Sequence, residues 1–265
     1  MSAGRVLAVV NQKGGVGKTT TSVNLAAALA GKGQRVLLVD LDPQGNATMG
    51  SGVDKRNLAR TVYHVLLGLS EAASARVRSK SGAYDLLPAN RELAGAEVEL
   101  VELPNREVRL KSGLAPLRAE YDYVFIDCPP SLSLLTLNAL VAAQQVVIPM
   151  QCEYYALEGL TDLVGTIKRV RSRLNPRLEI AGLLRTMYDP RNTLAQQVSA
   201  QLEEHFGDKV YRTLVPRNVR LAEAPSYGAP AVVWDSASKG AQAYLALAQE
   251  VLARDAAVEA RPAGA

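Results

Sequence analysis

The chain has 265 residues, 48% of them apolar and 21% charged, with a net charge of +4 and an isoelectric point of about 9.1. That length can bury a sizeable core, and the balance excludes a disordered polymer; no apolar stretch approaches the ~18 residues of a membrane-spanning helix. Two cysteines, Cys128 and Cys152, supply neither a disulfide framework nor a C-x-x-C pair, and the first residues lack the apolar core of a signal peptide, so a cytoplasmic location is expected.

In chain order, the first strand candidate is RVLAVV (5–10), which runs directly into NQKGGVGKTT (11–20). Gly14, Gly15 and Gly17 remove side chains where backbone N–H groups can point inward at phosphate oxygens, with Val16 among them. A helix beginning near Lys18 aims its N-terminal dipole at the same anion. Lys18 is placed to neutralise the β- and γ-phosphates of a bound nucleotide, and Thr19, followed by Thr20, to offer a hydroxyl to Mg²⁺. The loop departs from the strict G-x-x-x-x-G-K-[ST] pattern, because Gln12 stands at the first glycine, and it carries a second lysine, Lys13.

The segment TTTSVNLAAALAGKG reads as a helix, and RVLLVD (35–40) as a strand ending in Asp40-Leu41-Asp42. YDLLPA (84–89) is a third strand. YDYVFIDC (121–128) is a fourth, and it puts Asp127 after an apolar run, where a carboxylate supports Mg²⁺. After the helical SLLTLNALVAA comes QVVIPM (145–150), then a helix, LEGLTDLVGTIKRVRSRL, that ends in a basic run of Lys168, Arg169, Arg171 and Arg173. EIAGLLRTM (179–187), the helical LAQQVSAQLEEHFG and VYRTLVP (210–216) complete the set, with Arg191 between the first two and Arg217 and Arg220 after the last.

Strands nearly continuous in Val, Ile and Leu, alternating with helices, predict an α/β fold. It is a single domain with a mainly parallel twisted sheet and helices on both faces, ligands binding at the carboxyl ends of the strands. Three strands end there in residues suited to nucleotide chemistry. The domain is expected over residues 1–253, with 254–265 (RDAAVEARPAGA) a frayed tail.

The motifs KGGVGKTT at 13–20, DLDPQGN at 40–46, FIDCPPSLS at 125–133, QCEYYALEGL at 151–160 and PRNVRLAEAPSYG at 216–228 resemble those of ParA/Soj-type partition ATPases, relatives of MinD in the deviant Walker A (P-loop) class. The resemblance implies that Lys13 reaches across an ATP-dependent homodimer to the partner's nucleotide. It implies that Asp42 orients the attacking water, with Asp40 nearer the metal side together with Thr19 and Asp127, and that Pro216 and Asn218 contact adenine. It also implies that Arg191 and Arg220 contact DNA. Arg217 and the run Lys168, Arg169 and Arg171 are further candidates, although a basic run on a helix is ordinarily a solvated face. The expected cofactors are ATP and Mg²⁺, and the expected partners are nonspecific double-stranded DNA and a ParB-type centromere-binding protein that stimulates hydrolysis, with no membrane. Nucleoid association follows from the same reading.

Two other classes are weighed against it. A MinD-like membrane-associated ATPase needs an amphipathic C-terminal helix, whereas VLARDAAVEARPAGA has few bulky apolar residues and carries acids. An iron–sulfur relative needs two cluster cysteines, whereas free cysteines are ordinarily small buried hydrophobes. With the glycine loop about ten residues from the start, an N-terminal helix-turn-helix domain is not expected.

Overall fold

The computed structural model describes residues 4–260. Among these residues eight strands form one sheet: β1 (Arg5–Val9), β2 (Val36–Asp40), β3 (Val77–Arg78), β4 (Asp85–Leu87), β5 (Tyr123–Asp127), β6 (Gln145–Met150), β7 (Glu179–Tyr188) and β8 (Val210–Pro216). Their order across the sheet is β3-β4-β2-β5-β1-β6-β7-β8, and every pair is parallel except β3 with β4. The α/β fold with a mainly parallel sheet is as the alternation predicts. β3 is the addition: two residues paired to one neighbour are too short to leave a pattern in the sequence.

Both faces of the sheet are buried, and the strand period of two sorts the apolar residues between them. Val6, Ala8, Val39, Val124 and Ile126 point to one face, where they pack with Leu135, Leu163, Ile167 and Leu202 of the helices Leu134–Ala142, Ala156–Arg173 and Thr193–Phe206. Leu7, Val9, Leu38 and Phe125 point to the other, against Leu25 and Leu29 of the helix Lys18–Ala30 and Tyr244 and Leu247 of the helix Lys239–Glu259. Each fully buried Leu or Phe is worth ~1.5–3 kcal/mol relative to exposure, so this double layer dominates the stability of the fold.

The last helix corrects the expected boundary at residue 253. It continues to Glu259, and its charged residues are tertiary anchors. Arg254 donates to the carbonyls of Asp208 and Val210, each at 2.8 Å, and lies 4.3 Å from the centre of the Tyr211 ring. Asp255 accepts from Arg5 at 2.7 Å and from the Tyr123 hydroxyl at 2.6 Å. Small, polar composition resembled a fraying end because these partners lie far away in sequence. Residues 261–265 of the expected tail lie outside the described residues.

Register positions the chemistry. Val9 and Asp40 are both opposite Asp127, so the carboxyl ends of β2, β5 and β1 finish side by side at one edge.

Candidate functional site

The glycine loop leaves β1 through Asn11, whose side-chain amide donates to Pro149 O at 2.8 Å while its carbonyl accepts from the Lys13 amide at 2.9 Å. Gly15 (φ 74°) and Gly17 (φ 88°) adopt the left-handed conformation that side chains disfavour, and Gly17 caps the helix Lys18–Ala30. Gln12 does not adopt it, which is why the loop tolerates a side chain where the strict pattern has glycine. A Cβ added at Gly14 or Gly15 would meet nothing within 4 Å, so the loop presents bare backbone to open space ahead of the first turn of the helix. Exposed glycine amides at a helix N-terminus have the polarity of a phosphate cradle.

Lys18 is buried, and its ammonium donates to Lys13 O at 3.0 Å. Desolvation lowers its pKa, while the nearby Asp127 and Asp42 carboxylates act the other way. Thr19 Oγ1 donates to Asp127 Oδ2 at 2.7 Å, and Ser22 Oγ to Asp127 Oδ1 at 2.8 Å. The predicted pair Thr19 and Asp127 is thus in direct contact, on residues 108 positions apart.

Asp40 and Asp42 differ in what occupies them. Asp40 is fully buried: its Oδ2 accepts from the Thr48 amide (2.8 Å) and hydroxyl (2.7 Å), and its Oδ1 from the Asp42 amide (3.2 Å). It holds the loop that follows it. The Asp42 carboxylate, 9% exposed, accepts among the described residues from the Gln44 amide, at 2.9 Å on Oδ1. Burial pushes Asp40 up to about 6 and Asp127 up to about 7; the Asp40 charge adds to the rise at Asp127, and the donated hydrogen bonds oppose both.

These shifts give an expected result for the nucleotide-free chain. An acid whose folded pKa stands above its unfolded value holds a stabilising proton below that pKa and loses the advantage as pH rises through it. For Asp127 the loss between pH 6 and pH 8 is on the order of 1 kcal/mol. Urea midpoints at the two pH values check this, and Asp127→Asn should flatten the difference. Equal midpoints for the unaltered chain would rule out the raised pKa.

Lys13 is half-exposed and forms an ion pair with Glu153, also half-exposed, in the segment after β6. The exposed Tyr154 and Tyr155 follow, ring against ring at 5.0 Å. The second lysine therefore stands on the outer rim of the loop, held by its own chain. Pro216 and Asn218 sit at the end of β8, partly buried; Asn218 Oδ1 accepts from the Arg220 amide at 3.1 Å and caps the helix Val219–Glu223. The cap is the strand-ending turn that such residues commonly make.

The basic candidates divide into two groups. Arg191 follows β7, and Arg217 and Arg220 follow β8, at the carboxyl edge of the sheet with the glycine loop. Arg191 makes a forked pair with Asp189 (3.0 and 2.8 Å). Arg220 pairs with Glu223 (2.9 Å) and Asp235 (3.2 Å) and lies 5.6 Å from the centre of the Trp234 ring. Lys168, Arg169, Arg171 and Arg173 belong to the last turns of the helix Ala156–Arg173, which runs back from β6 toward the amino edge. Eighteen residues at 1.5 Å each make that helix about 27 Å long, so the basic run does not join the other arginines.

Both cysteines are buried core residues with thiol pKa values pushed up by burial, which is the hydrophobe role expected for them rather than that of exposed cluster ligands. Among the described residues no helix is long and apolar enough to cross a membrane. Sequence reasoning missed Ser22, Thr48, Glu153 and Thr186, whose hydroxyl donates to Val16 O at 2.8 Å and whose methyl lies 3.7 Å from a Cβ placed on Gly17. Only Ser22 left a signal: four residues after Lys18, it shares that helix face.

Residues 4–180 match the AAA domain family. The chain is 52% identical over 261 residues, 98% of each protein, to the chromosome partitioning protein ParA of Caulobacter vibrioides. It is 54% identical over 250 residues, 94% of this chain and 99% of the relative, to the sporulation initiation inhibitor protein Soj of Bacillus subtilis. Among solved structures it superposes with a TM-score of 0.85 and 42% identity on cobyrinic acid a,c-diamide synthase from Mycobacterium smegmatis with bound ATP analog and magnesium, covering 99% of this chain and 100% of that one.

Proposed function

The chain belongs to the ParA/Soj family of partitioning ATPases, and from that premise we propose that it is a DNA-segregation switch whose ATP-bound form is a homodimer that binds duplex DNA without sequence preference. A ParB-type partner then stimulates hydrolysis and release, in the cytoplasm and on the nucleoid. The observation that carries the reading is Lys13: a cation on the outer rim of a phosphate loop that already has Lys18 inside it.

The residues fit ATP and Mg²⁺. The Gly14–Gly17 amides and Lys18 would hold the phosphates, Thr19 and Asp127 would hold the metal, and Pro216 and Asn218 flank the region expected for adenine. When bound, Mg²⁺ withdraws charge from the terminal phosphates. Lys18 neutralises phosphate charge within its own chain, while Lys13, released from Glu153, supplies charge to the facing subunit. Two nucleotides brought face to face concentrate negative charge, and a lysine from each side offsets it.

The diamide synthase name accompanies lower identity, 42% against 52–54% for the partition proteins. A membrane-positioning role meets a specific obstacle: the helix Lys239–Glu259 is docked on β8, with Arg254 and Asp255 tethered to the body. The deciding experiment is sedimentation with ATP, ADP or no nucleotide, each with and without nonspecific DNA. Nucleotide-independent behaviour in every arm would overturn the switch.

Arg191→Glu and Arg220→Glu are each expected to weaken DNA binding by the ATP form while sparing dimerisation. Their carboxylate partners are at least about one-third exposed, and such surface pairs are worth only ~0–1 kcal/mol, so phosphates can displace them. Each lost phosphate contact reduces the log–log salt slope by ~0.9, and a dimer loses two per substitution. DNA retention against salt on two unrelated duplexes checks this; unchanged slopes for both variants would take these arginines off the DNA.

A further inference from the structure

Four consecutive amides of the glycine loop, those of Gly14, Gly15, Val16 and Gly17, donate to no acceptor among the described residues. Several carbonyls behind them are held. Lys13 O accepts from Lys18 at 3.0 Å, Gly15 O lies 3.4 Å from the Gln151 amide nitrogen, and Val16 O accepts from the Thr186 hydroxyl at 2.8 Å. A trans peptide points its N–H opposite to its C=O, and none of the described peptides is cis. Each held carbonyl therefore aims the next amide away from its partner. The Val16–Gly17 peptide needs such a hold, because glycine takes φ of either sign and the chain alone does not choose which way the plane faces. Lys18 is itself a phosphate ligand and the Gln151 contact is long, which leaves Thr186 as the short, buried hold.

Thr186 reaches the loop because β7 is bulged there. Arg185 pairs with Leu214 and Tyr188 with Pro216, so β7 carries Thr186 and Met187 where β8 carries Val215 alone. Met187 takes a φ of 50°, uncommon for a residue with a side chain. Bulges beside active sites re-aim side chains, and this one turns Thr186 to the back of the loop. Its hydroxyl lies between Val16 O and Met150 O (3.1 Å), with Val16 O the nearer, and its methyl stands 3.7 Å from a Cβ placed on Gly17. Thr186 is only 2% exposed, so the hold is made out of reach of bulk water. Core packing does not account for the hydroxyl: valine would fill nearly the same space and bury no polar group.

We propose that Thr186 is a positioning residue for phosphate binding: its hydroxyl fixes the Val16–Gly17 peptide so that the Gly17 N–H faces the bound phosphates. This rests on the nucleotide site described above and adds a residue that shapes it without touching the ligand. The cradle is thus built from both halves of the sheet, its loop leaving β1 and its hold supplied by β7, 170 positions away.

The test is ADP binding in the presence of Mg²⁺ by full-length chains labelled with ¹⁵N-glycine, with affinities from calorimetric titration. In the unaltered chain the Gly17 amide proton should shift downfield as ADP saturates the site. Thr186→Val, which keeps the methyl and the shape, should lose roughly 10- to 100-fold in ADP affinity, the worth of one hydrogen bond to a charged acceptor. It should also lose most of the Gly17 shift while keeping that of Gly14. Thr186→Ser restores the hydroxyl and should recover most of the affinity and the Gly17 shift. A packing role alone predicts the opposite order, with serine, one methyl smaller, the weaker binder. An unresponsive Gly17 amide in the ADP-saturated unaltered chain would overturn the proposal with no variant needed, which keeps it falsifiable if the valine chain folds poorly. So would a valine chain that binds ADP like its parent, or a serine chain no better than the valine one. Failure of the unaltered chain to bind ADP at all would overturn the nucleotide site itself, and the role of Thr186 with it.

Discussion

Lys13→Gln is expected to bind ATP nearly as well as the unaltered chain and to lose its ATP-dependent dimer. Within one chain the cradle is untouched: the loop amides, the buried Lys18 and the Thr19–Asp127 pair do not use the Lys13 side chain. Only the Lys13 backbone carbonyl serves Lys18, and glutamine retains it. Across the dimer the charge is gone from a desolvated contact on each side, and removing one partner of such a contact costs ~2–5 kcal/mol, or about 30- to 5,000-fold in dimer affinity for each of the two contacts. The competing term is the Lys13–Glu153 pair that must first open. With both side chains half-exposed it is worth ~0–1 kcal/mol and cannot outweigh the gain. Glu153→Gln is accordingly expected to strengthen the dimer, by no more than about fivefold for each of its two Lys13 contacts. Sizing or sedimentation with ATP reads both variants. A Lys13→Gln chain that dimerises like its parent removes the second lysine from the interface.

The division between what the sequence disclosed and what it concealed follows sequence distance. The glycine loop, Asp127 and the strand ends were legible because each is a local pattern, an apolar run terminating in a chemical group. The sites of Asp40 and Asp127 were visible as positions but not as environments. Thr48 lies eight residues from Asp40, and Ser22 lies 105 from Asp127, so no local pattern announces that one carboxylate is consumed and the other shared. The Lys13–Glu153 pair spans 140 residues. The basic residues show the same limit from the other side: Arg173 and Arg191 are 18 positions apart, yet a helix running back and a strand running forward place the basic run and Arg191 toward opposite edges of the sheet.

Asp42→Ala is expected to bind ATP, form the dimer and stop there, with partner-stimulated hydrolysis reduced by ~10²–10⁴-fold, the usual contribution of a positioned acid–base group. The structure distinguishes this residue from its neighbour. Both Asp40 oxygens are engaged, by Thr48 and by the Asp42 amide, inside a fully buried pocket, so Asp40 serves the shape of the loop. Asp42 gives one oxygen to the Gln44 amide, and its charge acts on Lys18, so it lies on the side of that loop that faces Lys18. A carboxylate so placed can accept a proton from, or orient, a water approaching the terminal phosphate, while the cradle that binds the nucleotide stays intact. Asp40→Ala should behave differently. It strands the Thr48 amide and hydroxyl in the core at ~1–3 kcal/mol per unsatisfied group, so stability falls before activity is measured. The two variants are therefore compared by urea midpoint, ATP binding, dimer retention and partner-stimulated turnover together. Asp42→Ala should keep the first three and lose the fourth, remaining on DNA as a locked dimer. Normal turnover by Asp42→Ala would move the water-orienting role to another group, and an unchanged midpoint for Asp40→Ala would free Asp40 to be that group.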